Sequence, residues 1–173
     1  KNNKVILLTA HRRENWGEPM KNIFAAVREV AEQNKDVQII FPMHKNPLIR
    51  DLARESYKGI EHKVALIEPL EYVDFANLMN KCYLIMTDSG GIQEEAPALG
   101  KPVVVLRTET ERPEAVKAGT VKLAGVERNK IFEITNELVI DDLEYHKMAH
   151  AINPYGDGKA CERIVELIVK HFE

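Results

Sequence analysis

A segment with two adjacent glycines carries the residues best suited to chemistry. Positions 88–96 read DSGGIQEEA and follow a short apolar run. Gly90 and Gly91 let a ligand approach the backbone, and a helix beginning here would offer unpaired N–H groups and the positive end of its dipole. With the Ser89 hydroxyl, this set of donors suits a pyrophosphate, although the lysine of a P-loop and the third glycine of a dinucleotide-binding loop are missing. The alternative is a Gly-Gly turn that only tightens a strand–helix junction.

Two carboxylates, Glu94 and Glu95, follow in the same predicted helix. Carboxylates near a helix N-terminus interact favourably with the dipole, but they repel a phosphate bound at the same end. One of them is therefore expected to face a neutral partner, and a ribose diol is the clearest candidate.

Positive charge is concentrated in two other segments. Positions 11–15 read HRREN after the first apolar run, which indicates an anion site with a titratable histidine, or alternatively a solvated charged loop. Arg112 stands directly before Pro113, a residue favoured at the first position of a helix, so its guanidinium could add to an anion site.

The remaining histidines are weaker candidates. His44 follows a predicted strand, where a lone histidine is more often structural than functional. His146 and His150 have the spacing of zinc ligands on a helix, but Lys147 stands where a metalloprotease motif requires glutamate. We interpret these two as surface residues and predict no metal site.

These residues must be positioned by an alternation of strands and helices. Buried strands are predicted at 5–8, 37–41, 64–67, 83–86 and 103–106, with a weaker one at 121–123. Helical periodicity covers 47–56, 73–80, 92–99, 129–139, 143–150 and 159–172 and also a stretch after position 20. Pro97 predicts a kink or a short irregular turn. The alternation predicts an α/β fold, a doubly wound Rossmann-like parallel sheet in a single domain over 1–173, with its ligand beyond the carboxyl ends of the strands.

Composition narrows the class of protein. A net charge of −3 argues against nucleic acid as a partner, and no apolar run approaches the roughly 18 residues of a membrane span. Cys82 and Cys161 have no paired spacing, so reduced thiols in a cytoplasmic protein are the simplest interpretation. The chain does not begin with methionine, and we expect it to be a piece of a longer protein.

Four motifs occur together in an order typical of one family: HRREN at 11–15, DSGGIQEEA at 88–96, ERPEA at 111–115 and NPYGDGKA at 153–160. They resemble the non-hydrolysing UDP-N-acetylglucosamine 2-epimerases over essentially the whole chain. The resemblance implies the C-terminal, UDP-binding half of a GT-B-like two-domain fold. The missing N-terminal domain would supply the other side of the active-site cleft, and the helix at 159–172 could cross to it.

The family interconverts UDP-N-acetylglucosamine and UDP-N-acetylmannosamine by elimination and re-addition of UDP, for cell-surface polysaccharide synthesis. The resemblance therefore implies an isomerase that uses no cofactor. It also implies that the full-length protein is a homodimer. It also implies a role for nine residues: Ser89, Gly90 and Gly91 at the diphosphate, Glu95 at the ribose, Arg112 at the phosphates, Phe75 at the uracil, His11 in catalysis, and Arg12 and His44 at a regulatory nucleotide-sugar site.

The acid and base of the reaction would lie in the other domain, so the chain alone is expected to bind UDP without turnover. The alternatives are a GT-B glycosyltransferase, a hydrolysing epimerase and a non-enzymatic nucleotide-sugar sensor. The last helix carries an apolar stripe of Ile164, Leu167 and Ile168, from which we predict an ordered helix that folds back onto this domain or pairs with a second copy.

Overall fold

Short runs of branched aliphatic residues form one parallel sheet in the computed structural model, which describes residues 3–172. The strands are β1 (Lys4–Thr9), β2 (Val37–Pro42), β3 (Val64–Ile67), β4 (Leu84–Thr87), β5 (Val103–Val105) and β6 (Val121–Leu123). Their order is β3-β2-β1-β4-β5-β6, and each neighbouring pair is parallel. The predicted doubly wound α/β fold is confirmed.

The strands are connected through helices, as parallel neighbours require. The helices are α1 (Glu18–Gln33), α2 (Pro47–Ser56), α3 (Tyr72–Lys81), α4 (Gly90–Ala98), α5 (Pro113–Ala118), α6 (Arg128–Ile140), α7 (Asp142–Ala149) and α8 (Ala160–Phe172). Capping side chains and a proline explain where several of these helices begin. Asn46 caps α2 by accepting the Leu48 N–H at 3.0 Å, and Asp141 caps α7 in the same manner. Pro113 begins α5, as predicted from the sequence.

Both faces of the sheet are covered, because side chains of one strand alternate between two cores. In β1, Ile6 and Leu8 join a core built with α1, α2 and α6, whereas Leu7 joins a second core built with α3, α4 and α5. All three side chains are completely buried. None of the helices within residues 3–172 has the length and apolarity needed to cross a membrane.

The strand order places a crevice between β1 and β4. The chain leaves β1 toward β2 on one side of the sheet, while β4 and β5 extend it on the other. Loops that follow β1 and β4 therefore diverge above their carboxyl ends, where ligands bind in open α/β sheets. The residues after β1, β2, β4 and β5 are the polar segments that the sequence singled out.

β4 covers Leu84–Thr87 rather than the predicted 83–86, because Thr87 pairs with Thr9. Pro97 lies inside α4, which ends one residue later at Ala98. The Leu99 and Gly100 N–H groups there bond to carbonyls three residues back, which fits the short irregular turn predicted at Pro97. None of the residues of α8 is buried, so of its two predicted arrangements the helix does not fold back onto this domain, and pairing with a second copy stays a prediction.

Candidate functional site

A cavity of about 410 Å³ opens at the carboxyl ends of β1, β2 and β4. Four of the residues assigned from the family resemblance line it: His11, His44, Phe75 and Ser89. Phe75 reaches the cavity from α3, where part of its ring packs against the second core. The strand order thus brings together side chains that are far apart in the sequence.

The loop after β1 is folded around a buried carboxylate. Asp88 follows β4 and is 0% exposed. Its Oδ2 accepts the backbone N–H groups of His11 at 2.9 Å and Arg12 at 2.8 Å, and the side-chain amide of Asn15 at 3.2 Å. Asn15 is itself buried and also donates to the Leu106 carbonyl at 3.1 Å. These contacts join the loops after β1, β4 and β5 into one unit.

The imidazole of His11 lies between this carboxylate and a second histidine. Its Nδ1 is 3.3 Å from Oδ1 of Asp88. Its ring stacks on that of His44, with 5.7 Å between centroids and 12° between planes. The Nδ1 atom of His44 accepts the Asn46 N–H at 3.1 Å, which orients that ring. The His11 side chain remains 44% exposed, so a ligand in the cavity can reach it.

The N-terminus of α4 faces the same crevice. The Ser89 N–H is taken by the Thr87 hydroxyl at 2.9 Å, and within residues 3–172 the Ser89 side chain makes no capping hydrogen bond to the first turn. Its hydroxyl and the N–H groups of that turn are therefore placed to donate to an anion.

Packing within the chain does not explain the two glycines. Neither Gly90 nor Gly91 has a positive φ. A Cβ built at Gly90 would lie 3.8 Å from a guanidinium nitrogen of Arg12, and one at Gly91 would lie 3.8 Å from Oε1 of Glu95, both ordinary contacts. The alternative that the glycines only tighten a strand–helix junction thus has no steric basis.

The two glutamates of α4 have different partners. Glu94 forms an ion pair with the Arg112 guanidinium, which also donates to the Glu111 carbonyl at 3.1 Å. This hydrogen bond to Glu94 raises the pKa of Arg112. Glu95 is exposed, and the one hydrogen bond of its side chain within residues 3–172 is a long one, accepted from the Tyr72 hydroxyl at 3.3 Å. Neither Glu95 nor Arg112 lines the cavity.

A buried arginine that sequence reasoning did not single out connects two loops. Arg107 is 8% exposed and donates to Glu14 and to Glu111, each at 2.6 Å. The hydrogen bond from Arg107 lowers the pKa of Glu111 to about 2. Gln93 has a similar role: it is fully buried, accepts from Thr110 at 2.6 Å and donates to the Ser89 carbonyl at 3.1 Å. No periodicity in the sequence indicates these pairs.

A second, more basic cavity of about 570 Å³ adjoins the first and shares His11 and His44 with it. Its other lining residues are Arg12, Arg13, Trp16 and Asn46. Outside this region, His146 and His150 are exposed, as predicted, and the His150 ring lies 2.9 Å from the His146 carbonyl. Within residues 3–172, no group of three or more His, Cys, Asp or Glu side chains is arranged to hold a metal ion.

The sheet order and the crevice above β1 and β4 define a Rossmann-like α/β domain of the GT-B type. The C-terminal domain of a group 1 glycosyl transferase from Francisella tularensis has the same fold, with a TM-score of 0.71 over 89% of this chain and 83% of that one. At 13% identity, the likeness extends to the fold alone.

The chain belongs to the UDP-N-acetylglucosamine 2-epimerase family, whose model matches residues 1–169. It is 54% identical to the Bacillus subtilis UDP-N-acetylglucosamine 2-epimerase over 169 residues, 98% of this chain and 44% of that protein. It is similar to MnaA of S. aureus in a co-structure with UDP, with a TM-score of 0.92 and 51% identity over 99% of this chain and 47% of that one.

The Neisseria meningitidis epimerase bound to UDP-GlcNAc gives a TM-score of 0.90 and 51% identity over 97% of this chain and 45% of that one. The chain thus spans less than half the length of the relatives that it matches.

Proposed function

We propose that this chain is the UDP-binding half of an enzyme that interconverts UDP-N-acetylglucosamine and UDP-N-acetylmannosamine by elimination and re-addition of UDP. One observation carries the proposal: in a member of this family, a single cavity at the α4 N-terminus gathers His11, Ser89 and Phe75. Relatives of the same fold and about half-identical sequence are described with UDP or UDP-GlcNAc.

The diphosphate would lie on Ser89, Gly90 and Gly91, where uncapped N–H groups and the helix dipole favour negative charge. The uracil would pack against Phe75. His11 would face the bridge between the diphosphate and the sugar and stabilise the departing UDP, since a donor placed where charge develops lowers the barrier of such a step. Arg12 and His44, in the adjoining basic cavity, would hold a second, regulatory nucleotide-sugar.

Glu95 would contact the ribose and Arg112 the phosphates. Glu95 is exposed and weakly bonded, so its carboxylate is available to accept from two hydroxyl groups. Arg112 is paired with Glu94, and it would have to turn from that carboxylate to reach a phosphate oxygen. Its pairing supports a role in placing α4 as much as a direct contact.

Turnover requires groups beyond this chain. Elimination breaks the C1–O bond and removes the proton at C2 of the sugar, which needs a positioned base. Among the described residues, those that line the cavity include no carboxylate. The missing N-terminal domain would supply the base, and re-addition needs an acid on the other face. We therefore propose that this C-terminal half binds UDP without turnover. We also propose that the full-length enzyme is cytoplasmic and a homodimer.

Calorimetric titration of the chain with UDP, UMP and uridine tests the diphosphate site. We expect UDP to bind at least about tenfold more tightly than uridine, because charge-assisted bonds contribute about 1.5–3 kcal/mol. Replacing Gly90 by Val should remove most of this preference by blocking close approach to the backbone. Equal affinities for uridine and UDP would refute the assignment of Ser89, Gly90 and Gly91.

The ribose assignment is tested by a double-mutant cycle. We expect Glu95→Gln to weaken UDP binding by about 1–3 kcal/mol and to have little further effect on 2′-deoxy-UDP, since the lost partner is the same in both. Glu94→Gln is the matched control, because its carboxylate pairs with Arg112 instead. If the losses in binding free energy from Glu95→Gln and from removing the 2′-hydroxyl simply add, the Glu95 carboxylate does not contact that hydroxyl.

Product analysis on the full-length protein distinguishes the proposed reaction from its alternatives. UDP-N-acetylmannosamine formed from UDP-N-acetylglucosamine indicates the epimerase, and free N-acetylmannosamine with UDP indicates a hydrolysing epimerase. Transfer to an acceptor indicates a glycosyltransferase, and binding without turnover indicates a sensor.

A further inference from the structure

The two oxygens of the Asp88 carboxylate have unequal surroundings. Oδ2 accepts three N–H groups, two from the backbone of the loop after β1 and one from Asn15. Oδ1 has no hydrogen-bond partner within residues 3–172, although the side chain is fully buried. The Nδ1 atom of His11, at 3.3 Å, is the group placed to satisfy it.

Loop packing alone does not account for this carboxylate. An asparagine could accept the three bonds at Oδ2 through its amide oxygen without burying a charge. A buried anionic oxygen left unpaired is unfavourable, and it persists where another function requires it. A small rotation of the His11 ring about the present position would align Nδ1–H with Oδ1, because the two atoms are already within ion-pair distance.

We propose that Asp88 is a positioning residue for His11. It holds the neutral ring as the Nδ1–H tautomer and leaves Nε2, on the far side of the ring, directed away from the carboxylate. When the ring is protonated, Asp88 stabilises the imidazolium, so that Nε2–H carries positive charge toward a departing diphosphate. This second part rests on the proposed function; the tautomer does not.

The charge around His11 supports this role. His44 stacks on the ring from the loop after β2. Arg12 is the next residue in the chain, and Lys45 and Arg13 line the cavities that His11 shares. The cationic side chains of Arg12, Arg13 and Lys45 repel a positively charged His11 ring, and His44 does not attract it. Asp88 is the carboxylate in contact with His11 that attracts it.

The variant Asp88→Asn gives a sharp test because its geometry is constrained. The three N–H groups at Oδ2 require an acceptor there, so the amide oxygen must occupy that position. The amide NH₂ then takes the place of Oδ1 and donates to Nδ1 of His11. The neutral ring is forced into the Nε2–H tautomer, which a carboxylate does not impose.

The measurement is ring ¹⁵N NMR on the ¹⁵N-histidine-labelled chain, with His11→Gln to assign the signals. We expect the Nδ1–H tautomer for neutral His11 in the wild type and the Nε2–H tautomer in Asp88→Asn. A wild-type ring in the Nε2–H form would overturn the proposal without any variant, so it remains testable if Asp88→Asn fails to fold. An unchanged tautomer in a folded Asp88→Asn would overturn it too.

Titration with UDP separates this proposal from the proposed function. We expect Asp88→Asn to weaken UDP binding in the wild-type background and to have little further effect when His11 is already replaced by Gln, because Asp88 acts through that ring. A tautomer switch without UDP binding would support positioning and refute the UDP site. Equal losses from Asp88→Asn in both backgrounds would overturn the role of Asp88 toward the diphosphate.

Discussion

The helices α6 and α8 are each 13 residues long and amphipathic, yet they have opposite environments. α6 packs along α1 and buries Ile131, Leu138 and Val139. α8 buries nothing, and its Leu167 is 68% exposed. The apolar stripe of α8 is nevertheless the more regular of the two. An amphipathic pattern therefore predicts that a helix forms and which face is apolar, but not what covers that face.

The apolar stripe of α8 has no cover within residues 3–172. Burying three aliphatic side chains contributes roughly 1.5–3 kcal/mol each, so a patch of this kind is unfavourable in water. We propose that the missing N-terminal domain or a second copy covers it. Light scattering at two concentrations, with hydrogen exchange over 160–172, distinguishes a paired helix from a monomer in which the segment exchanges fast.

The largest expected difference in stability comes from replacing one leucine by alanine in each of the two helices. Leu138→Ala removes a side chain that is 0% exposed and should lower the free energy of unfolding by about 2–5 kcal/mol. Leu167→Ala, in the exposed stripe, should cost no more than about 0.5 kcal/mol in the chain alone. Urea denaturation measures both. Equal losses would mean that the α8 stripe is buried in solution, which would remove the contrast.

A smaller effect is expected from two arginines that each form ion pairs. Arg107, buried between Glu14 and Glu111, contrasts with Arg163 of α8, which pairs with Asp157 at the surface, where both side chains are more than half exposed. Arg107→Met should destabilise the fold by about 1–3 kcal/mol, because it removes sheltered charge-assisted bonds. Arg163→Met should have no measurable effect on stability. If Arg163→Met lowered the free energy of unfolding as much as Arg107→Met, α8 would have to be packed against another surface in solution.

The smallest effect is a dependence of stability on pH. Arg107 lowers the pKa of Glu111 to about 2, below the ordinary value of about 4.5. The unfolded chain then binds the proton more readily, so this contribution is fully present above about pH 5 and is lost as the pH falls toward 2. We expect wild type to lose more stability than Arg107→Met between about pH 5 and pH 3. Parallel curves for the two proteins would show that the pair does not contribute.

Much of the sheet was predictable because each strand is a local pattern. The strand Val64–Ile67 and the helix Pro47–Ser56 match their predicted bounds, the helix because Asn46 and Pro47 specify its first turn. The end of β4 was predicted one residue too early. Its last residue, Thr87, bonds to the Thr9 hydroxyl at 2.6 Å, a contact between strands 78 positions apart that no local pattern reveals.

The motifs of the site were also visible in the sequence, but their connections were not. The segment DSGGIQEEA indicated an anion-binding turn from its glycines and serine. That Asp88 anchors the loop carrying His11, from 77 residues away, depends on β1 and β4 being neighbours in the sheet.

By itself, the sequence determined the parallel α/β class, most element bounds to within one or two residues and the polar segments at the strand ends, since these depend on periodicity and turn chemistry. The tertiary structure decided which loops meet, which carboxylate faces His11, and that Arg107 joins Glu14 across 93 residues. It also decided that α6 is covered while α8 is not. Such outcomes depend on the order of strands and on burial, which are properties of the whole packed chain and not of any one segment.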